Sequence, residues 1–313
     1  MTSRRIPRFT FAIVSDTHCR PPVLDESSPW SVNKKANARA RYVVERLKRQ
    51  KPEFVIHLGD VVNPVPRLSS YDEAANFARS LFAGLDCPVH YIPGNHDVGD
   101  KPREGLPAEP ISNDAIGKFA KVFGQSYRSF EHDGVRFILI NAELINSGLD
   151  MEKTQADWFE ALLLSDSSVP TFVCMHYPPF ILSRGEPSHY DNIDNPGREW
   201  FLELLGRANV RAVFAGHVHH CFYNRIGATD ITTLPSTCFT RQDYSEFFRS
   251  RGPDEYGRDD ADKLGFGMVD VFDDDYILRI ERTHGAMLEV GEVPAPKSPL
   301  FNPHPKERAL APV

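Results

Sequence analysis

Seven side chains in this chain could together hold metal: Asp16, His18, Asp60, Asn95, His176, His217 and His219. All offer nitrogen or oxygen, and none is a cysteine, which argues against a structural thiolate zinc site. Mixed imidazole and carboxylate donors suit manganese, iron, zinc, cobalt or nickel better than calcium or magnesium. The set exceeds the needs of one tetrahedral ion but serves two ions if one carboxylate bridges them. Two ions about 3.5–4 Å apart can clamp a phosphoryl group and turn a bound water into hydroxide near neutral pH. The chemistry this donor set points to is hydrolysis at phosphorus.

Strands must position these donors. FTFAIV runs into Ser15-Asp16-Thr17-His18, and FVIHL runs into Gly59-Asp60. VHYI leads to Gly94-Asn95-His96-Asp97, TFVCM to His176, and RAVFA to Gly216-His217-Val218-His219. Each run has the length and the β-branched or aromatic content of a buried strand. In open α/β sheets, ligands bind in the crevice beyond the carboxyl ends of the strands, which is where these donors fall. His57 and His90 lie inside apolar runs and read as core histidines. Helices are expected between the strands. Residues 34–49 carry Ala40, Val43, Val44 and Leu47 at helical spacing, and residues 70–84 follow the second donor loop. Thr154 is placed to cap a helix through about Ser165, with Trp158 and Leu162 on one face. Pro196 opens another, carrying Trp200, Phe201, Leu204 and Leu205. His132-Asp133-Gly134 reads as a hairpin turn, and Phe266 to Arg282 as a second hairpin around Asp273-Asp274-Asp275.

The order Asp-x-His, Gly-Asp, Gly-Asn-His-Asp, a lone His and Gly-His-x-His resembles that of the calcineurin-like metallophosphoesterases, over roughly residues 9 to 235. The resemblance implies an α/β fold, a four-layer αββα sandwich of two mixed sheets flanked by helices. It implies that Asp16, His18, Asp60 and His219 hold one metal, and that Asp60, Asn95, His176 and His217 hold the other, with Asp60 bridging. His96 would contact the phosphoryl oxygen or protonate the leaving group, oriented by Asp97. The implied cofactors are two transition metal ions among manganese, iron, zinc and cobalt.

Within that family, protein phosphatases carry an arginine shortly after the bridging aspartate, and purple acid phosphatases a tyrosine three residues after it. Here the segment is Gly59-Asp60-Val61-Val62-Asn63-Pro64, with neither. The segments Val32 to Ala38 and Thr233 to Thr237 resemble class III cyclic nucleotide and glycerophosphodiester phosphodiesterases. A phosphodiester carries one negative charge, which two metals neutralise without an arginine clamp, whereas a monoester dianion gains from one. The expectation is a phosphodiesterase working by attack of a metal-bound hydroxide on a small organic phosphodiester. The alternatives are a phosphomonoesterase on a metabolite or phosphoprotein, for which Arg20 or Arg184 could supply the clamp, and a non-catalytic scaffold of the same fold. His220 follows the last donor and is a candidate substrate contact, with a solvent-facing place as the competing reading.

Composition bounds these readings. A net charge of −7 over 313 residues offers no basic field for nucleic acid, so the expected partner is a small phosphoester. The motifs spread over most of the chain, giving one domain at 1–285 and a proline-rich tail at 286–313, with a homo-oligomer left open. Cys19, Cys87, Cys174, Cys221 and Cys238 lack a disulfide framework and fit reduced thiols in a cytoplasm. Arg4-Arg5 precede an apolar run far shorter than an export signal, and no run is long enough to span a membrane. Phe239 to Lys263, with Arg241, Arg249 and Arg251, reads as a lid over the site or as a surface insertion.

Overall fold

Residues Phe9–Val14 form strand β1, and every second side chain of this run faces a different core. Phe9, Phe11 and Ile13 point between two sheets, while Ala12 and Val14 point to a helical layer. That two-sided burial is why the run is apolar throughout rather than alternating. The structure is a computed structural model and describes residues 5–23, 28, 30–103, 106, 108–241 and 258–283.

The first sheet also contains β2 (Val55–His57), β3 (Val89–Tyr91), β10 (Gly265–Val271) and β11 (Tyr276–Arg282), in the order β11-β10-β1-β2-β3. β1 runs parallel to β2 and antiparallel to β10, so the sheet is mixed. The second sheet has the order β4-β5-β6-β7-β9-β8. Its strands are β4 (Arg128–His132), β5 (Val135–Leu139), β6 (Thr171–Met175), β7 (Val210–Ala215), β8 (Tyr223–Ile226) and β9 (Thr229–Thr233). The sheets meet through an aromatic core. Phe11 stacks on Phe54 at 5.1 Å between ring centroids and meets the Phe137 ring edge-on at 5.1 Å. Outside the first sheet lie α1 (Ala36–Gln50), α2 (Tyr71–Phe82) and α4 (Asn113–Phe123), while the short α3 (Asn95–Val98) carries part of the site. Outside the second lie α5 (Asp150–Ser165) and α6 (Gly197–Leu205). The result is the expected four-layer αββα sandwich.

Both expected hairpins are present, joining β4 to β5 and β10 to β11. Helix α1 begins two residues later than expected, after a 3-10 turn over Ser31–Lys35. Thr154 does not cap α5. The helix starts a turn earlier, at Asp150, where acidic side chains favour its N-terminus, and the Thr154 hydroxyl donates to the Asp150 carbonyl at 3.2 Å. Pro196 stands just before the first residue of α6 rather than inside its first turn. Helix α4, capped by the Ser112 hydroxyl accepting from the Ala115 amide, and the β8–β9 hairpin were not anticipated. Residues 242–257, most of the expected lid, and the tail 286–313 lie outside the described residues. All five cysteines are free. Among the described residues, no helix is long and apolar enough to cross a membrane.

Candidate metal centre

β1, β2 and β3 of the first sheet and β6 and β7 of the second end at one rim, and each hands over there to a donor loop. The handover turns are sharp. Asp16, His18, Asp60, His217 and His219 all have positive φ, between 44° and 66°. Non-glycine residues rarely take this region, and where they do the surroundings must hold them there. Here parallel-strand hydrogen bonding continues through the turns: the Asp16 amide donates to the Gly59 carbonyl at 3.1 Å and the His18 amide to the Asp60 carbonyl at 3.0 Å. Gly59 has φ +95°, and a Cβ there would stand 2.5 Å from the Gly94 amide nitrogen, so the β2 turn can pass the Gly94 loop only as glycine.

The donors form two groups that share Asp60. Asp16, His18, Asp60 and His219 offer atoms all within 4.8 Å of one another, and so do Asp60, His176 and His217. The two Asp60 oxygens part to either side: Oδ2 lies 3.5 Å from His18 Nε2, and Oδ1 lies 3.4 Å from His176 Nε2. Asn95 Oδ1 completes the second group, 3.2 Å from His176 Nε2 and 3.0 Å from His217 Nδ1. All seven residues are buried.

The ring tautomers test whether these groups fit metal. His176 Nδ1–H donates to the Leu58 carbonyl at 2.7 Å, and His219 Nδ1–H donates to the Phe239 carbonyl at 2.7 Å. A neutral ring so bonded presents a bare Nε2 lone pair on its other side. His18 Nε2 and His219 Nε2 nevertheless face each other at 3.3 Å, and the buried Asp16 Oδ1 beside them makes no hydrogen bond. Ring nitrogens and carboxylate oxygens that converge this closely are what a shared cation would satisfy. Burial holds the His18 imidazole well below its ordinary range and brings His217 down to about 4. Burial pushes the Asp60 carboxyl up, but the facing His176 imidazole outweighs it and keeps the group ionised; burial likewise opposes charge on His176, and Asp60 outweighs it and raises that ring well above its ordinary range. A cation between the two would take over the charge His176 carries there, since neutral imidazoles and ionised carboxylates are the forms that bind metal.

His96 stands at the mouth of the site. Its Nδ1–H donates to the Asn63 carbonyl at 2.7 Å, and its ring meets the His18 ring edge-on at 4.7 Å. Asp97 does not orient it. The Asp97 carboxylate turns inward and accepts the backbone amides of Val61, Val62 and Gly94 at 3.1, 3.2 and 2.8 Å, clasping the Asp60 loop to the α3 turn. A buried carboxylate is better satisfied by several unpaired loop amides than by one neighbouring ring.

A cavity of about 300 Å³ opens over His18, Asp60, His96, His217 and His219. Its other walls carry Trp30, Asn63, Tyr190, Phe239, Arg241 and Arg258. The substrate contacts expected from sequence are elsewhere. Arg184 is exposed and pairs with Glu199, Arg20 is buried with its amide on Asn37, and neither lines the cavity. His220 is buried and donates through Nε2 to the Arg241 carbonyl at 2.9 Å. Arg241, named in sequence only as part of the 239–263 stretch, is brought to the cavity wall and pairs with Asp191. Arg258 lies over the Trp30 ring, 4.3 Å from its centroid. Tyr190, Asp191 and Arg258 carry no motif, and nothing in their local sequence marks them.

A rim of histidine and carboxylate donors between two mixed sheets defines a two-metal phosphoesterase class of site. The chain belongs to the calcineurin-like phosphoesterase family, whose model matches residues 9–221. It is 26% identical over 198 residues to the serine/threonine-protein phosphatase CPPED1 of Danio rerio, a match spanning 61% of each chain. It is 23% identical over 263 residues to a probable cyclic nucleotide phosphodiesterase of Rhodococcus erythropolis, covering 82% of this chain and 79% of the relative. In structure it resembles a dimetal phosphatase from Danio rerio with a TM-score of 0.58 at 15% identity, covering 88% of this chain and 96% of the other. That likeness is one of fold.

Proposed function

We propose that this chain is a two-metal phosphodiesterase acting on a small organic phosphodiester of the cyclic nucleotide or glycerophosphodiester type. The observation that carries the proposal is the pair of donor groups sharing Asp60 beneath an open cavity. When bound there, the ions would supply Lewis acidity at the phosphoryl group and lower the pKa of a water molecule. Asp16, His18, Asp60 and His219 would hold one, and Asp60, Asn95, His176 and His217 the other. Identity of the metals is a matter of manganese, iron, zinc or cobalt.

The residues do the rest. His96 has its Nδ1 proton committed to Asn63, so its Nε2 is the ring atom left to serve the cavity. From there it donates to a phosphoryl oxygen or passes a proton to the departing alkoxide. The Trp30 and Phe239 rings offer flat apolar walls for an organic leaving group, and Arg258 lies against both, 4.3 and 5.9 Å from their centroids. The charge of Arg241 is offset by Asp191, which suits a singly charged ester. Free, buried Cys19, Cys174 and Cys238 support a reducing compartment such as the cytoplasm.

One observation favours phosphomonoesterase activity instead: three arginines line the cavity, Arg241, Arg258 and the Glu109-paired Arg67, and a dianion would gain from such cations. Protein reconstituted with manganese should therefore be assayed on bis(p-nitrophenyl) phosphate and p-nitrophenyl phosphate. A higher kcat/KM on the diester supports the proposal. A higher value on the monoester replaces it with the phosphatase reading and makes Arg241 and Arg258 the clamp.

A further inference from the structure

Beyond His176 itself, the loop between β6 and α6, residues 176–196, carries no recognisable motif, yet it is held by buried charges. The Lys101 ammonium donates to the His189 and Asn192 carbonyls at 2.6 and 2.7 Å and to Asp194 at 2.9 Å. The Arg198 guanidinium, fully buried, donates to the Ile193 carbonyl at 2.8 Å and the Glu186 carbonyl at 2.5 Å. The Glu186 carboxylate accepts the Ile181 and Leu182 amides at 2.9 and 2.8 Å. Burying charge is costly unless the groups find partners, and here most partners are the loop's own carbonyls and amides, although Arg198 Nη2 makes no hydrogen bond. Such a loop keeps one shape.

What that shape delivers is two contacts to the same donor group. Asn95 Nδ2 donates to the Tyr190 hydroxyl at 3.2 Å and to Asp100 at 3.4 Å, which turns Asn95 Oδ1 towards His176 and His217. Asp191, 6% exposed, places Oδ1 3.3 Å from His217 Nε2. His217 Nδ1 faces Asn95 Oδ1 and His176 Nε2, so Nε2 is the ring atom turned away from the donor group; it makes no hydrogen bond as placed, and the Asp191 carboxylate is the acceptor within reach of it. The rings of Tyr177 and Tyr190 flank the same imidazole, at 4.2 and 4.7 Å. Arg241 pairs with Asp191 from the cavity side and fixes the carboxylate in turn. The other donor group is held by different elements: His219 by the Phe239 carbonyl and the Asp16 backbone by the Ser236 hydroxyl at 2.9 Å.

We propose that Asp191 is a positioning residue for His217, and that the 176–196 loop sets how tightly the ion of the Asp60, Asn95, His176 and His217 group is held, independently of its neighbour. The assignment rests on the two-metal reading above. A carboxylate on the distal ring nitrogen fixes the tautomer and orientation of the imidazole and raises the basicity of its ligating nitrogen, and losing it costs roughly 10–100-fold in metal affinity.

The test is titration of metal-stripped full chain with Mn²⁺ and with Co²⁺, by calorimetry and by metal content after dialysis at fixed free metal. Parent, Asp191→Asn and Asp191→Ala proteins are compared, with thermal unfolding of each stripped protein as a check. Asn is isosteric and still accepts a hydrogen bond, so it keeps the loop folded if alanine does not. The expected result is two ions for the parent, with one of the two bound about 10–100-fold more weakly in Asp191→Ala and the other unchanged. Asp191→Asn should fall between. Unchanged binding of both ions, or equal weakening of both, would overturn the assignment. A parent that takes up no second ion would overturn the two-metal reading itself, and the assignment with it.

Discussion

Replacing Gly94 with alanine probes the metal centre with a single methyl group. Gly94 has φ −113°, a conformation open to alanine, so any effect is steric rather than conformational. A Cβ at this position would lie 2.3 Å from Asp60 Oδ1, 2.5 Å from the Asp60 amide nitrogen and 2.7 Å from His176 Cε1. Ordinary contact begins near 3.4 Å, so Asp60 Oδ1 must retreat by 3.4 − 2.3 = 1.1 Å, or the loop must move as far. A displacement of about 1 Å in a reacting constellation costs on the order of 10²-fold in rate, and the overpacking itself about 1–3 kcal/mol of stability. Gly117 is the internal control. It lies in α4 with nothing within 4 Å of an added Cβ, so alanine there should stabilise by about 0.5–1 kcal/mol and leave activity unchanged. The assay is metal content per chain and kcat/KM on bis(p-nitrophenyl) phosphate, with urea unfolding alongside. Full metal content and full turnover in Gly94→Ala would refute the placement of Asp60 between two ions.

His96→Ala should retain both metals and lose roughly 10²–10⁴-fold in turnover, most for esters with poor leaving groups, as a missing general acid demands. A leaving-group dependence equal to that of the parent would refute this role. Phe137 is fully buried between the sheets, with the Phe11 and Phe130 rings at 5.1 and 4.9 Å, so Phe137→Ala should cost about 3–5 kcal/mol in urea unfolding. A loss much below that range would mean the inter-sheet core is not the main support. His90, stacked on Phe130 at 4.1 Å, is held down to about 4 from 6.5, first by burial and then by Arg128. Its folded-state value lies below its unfolded one, so the unfolded chain binds the extra proton and stability falls as pH drops from 6.5 towards 4. Above 6.5 the residue contributes no pH dependence, and His90→Asn should flatten the acid limb of the stability curve; an unchanged limb would show that other groups set it.

Donors that follow directly on a strand were legible because the strand fixes them. Asp16, Asp60, Asn95, His176, His217 and His219 sit within a few residues of β1, β2, β3, β6 and β7, and buried strands announce themselves by continuous apolar runs. Residues brought in by long loops were not. Tyr190 and Asp191 reach the site on a loop whose shape depends on Lys101, distant in sequence, and on Arg198 just past the loop, both indistinguishable there from surface cations. The same blindness put Arg184 forward as a clamp, although its position in the loop after His176 leaves it paired with Glu199 at the surface. Asp97 shows a finer limit. The family resemblance implied Asp97 as a partner for the His96 ring, but α3 points successive side chains in different directions, and Asp97 serves backbone amides instead.

Two ions sharing Asp60 are expected to act together. Metal-stripped protein should be loaded with Mn²⁺ in measured increments, with bound metal and hydrolysis of bis(p-nitrophenyl) phosphate followed on the same samples. Turnover that rises only as the second ion per chain binds is the expected result. Full turnover with one ion per chain, or with none, would contradict it.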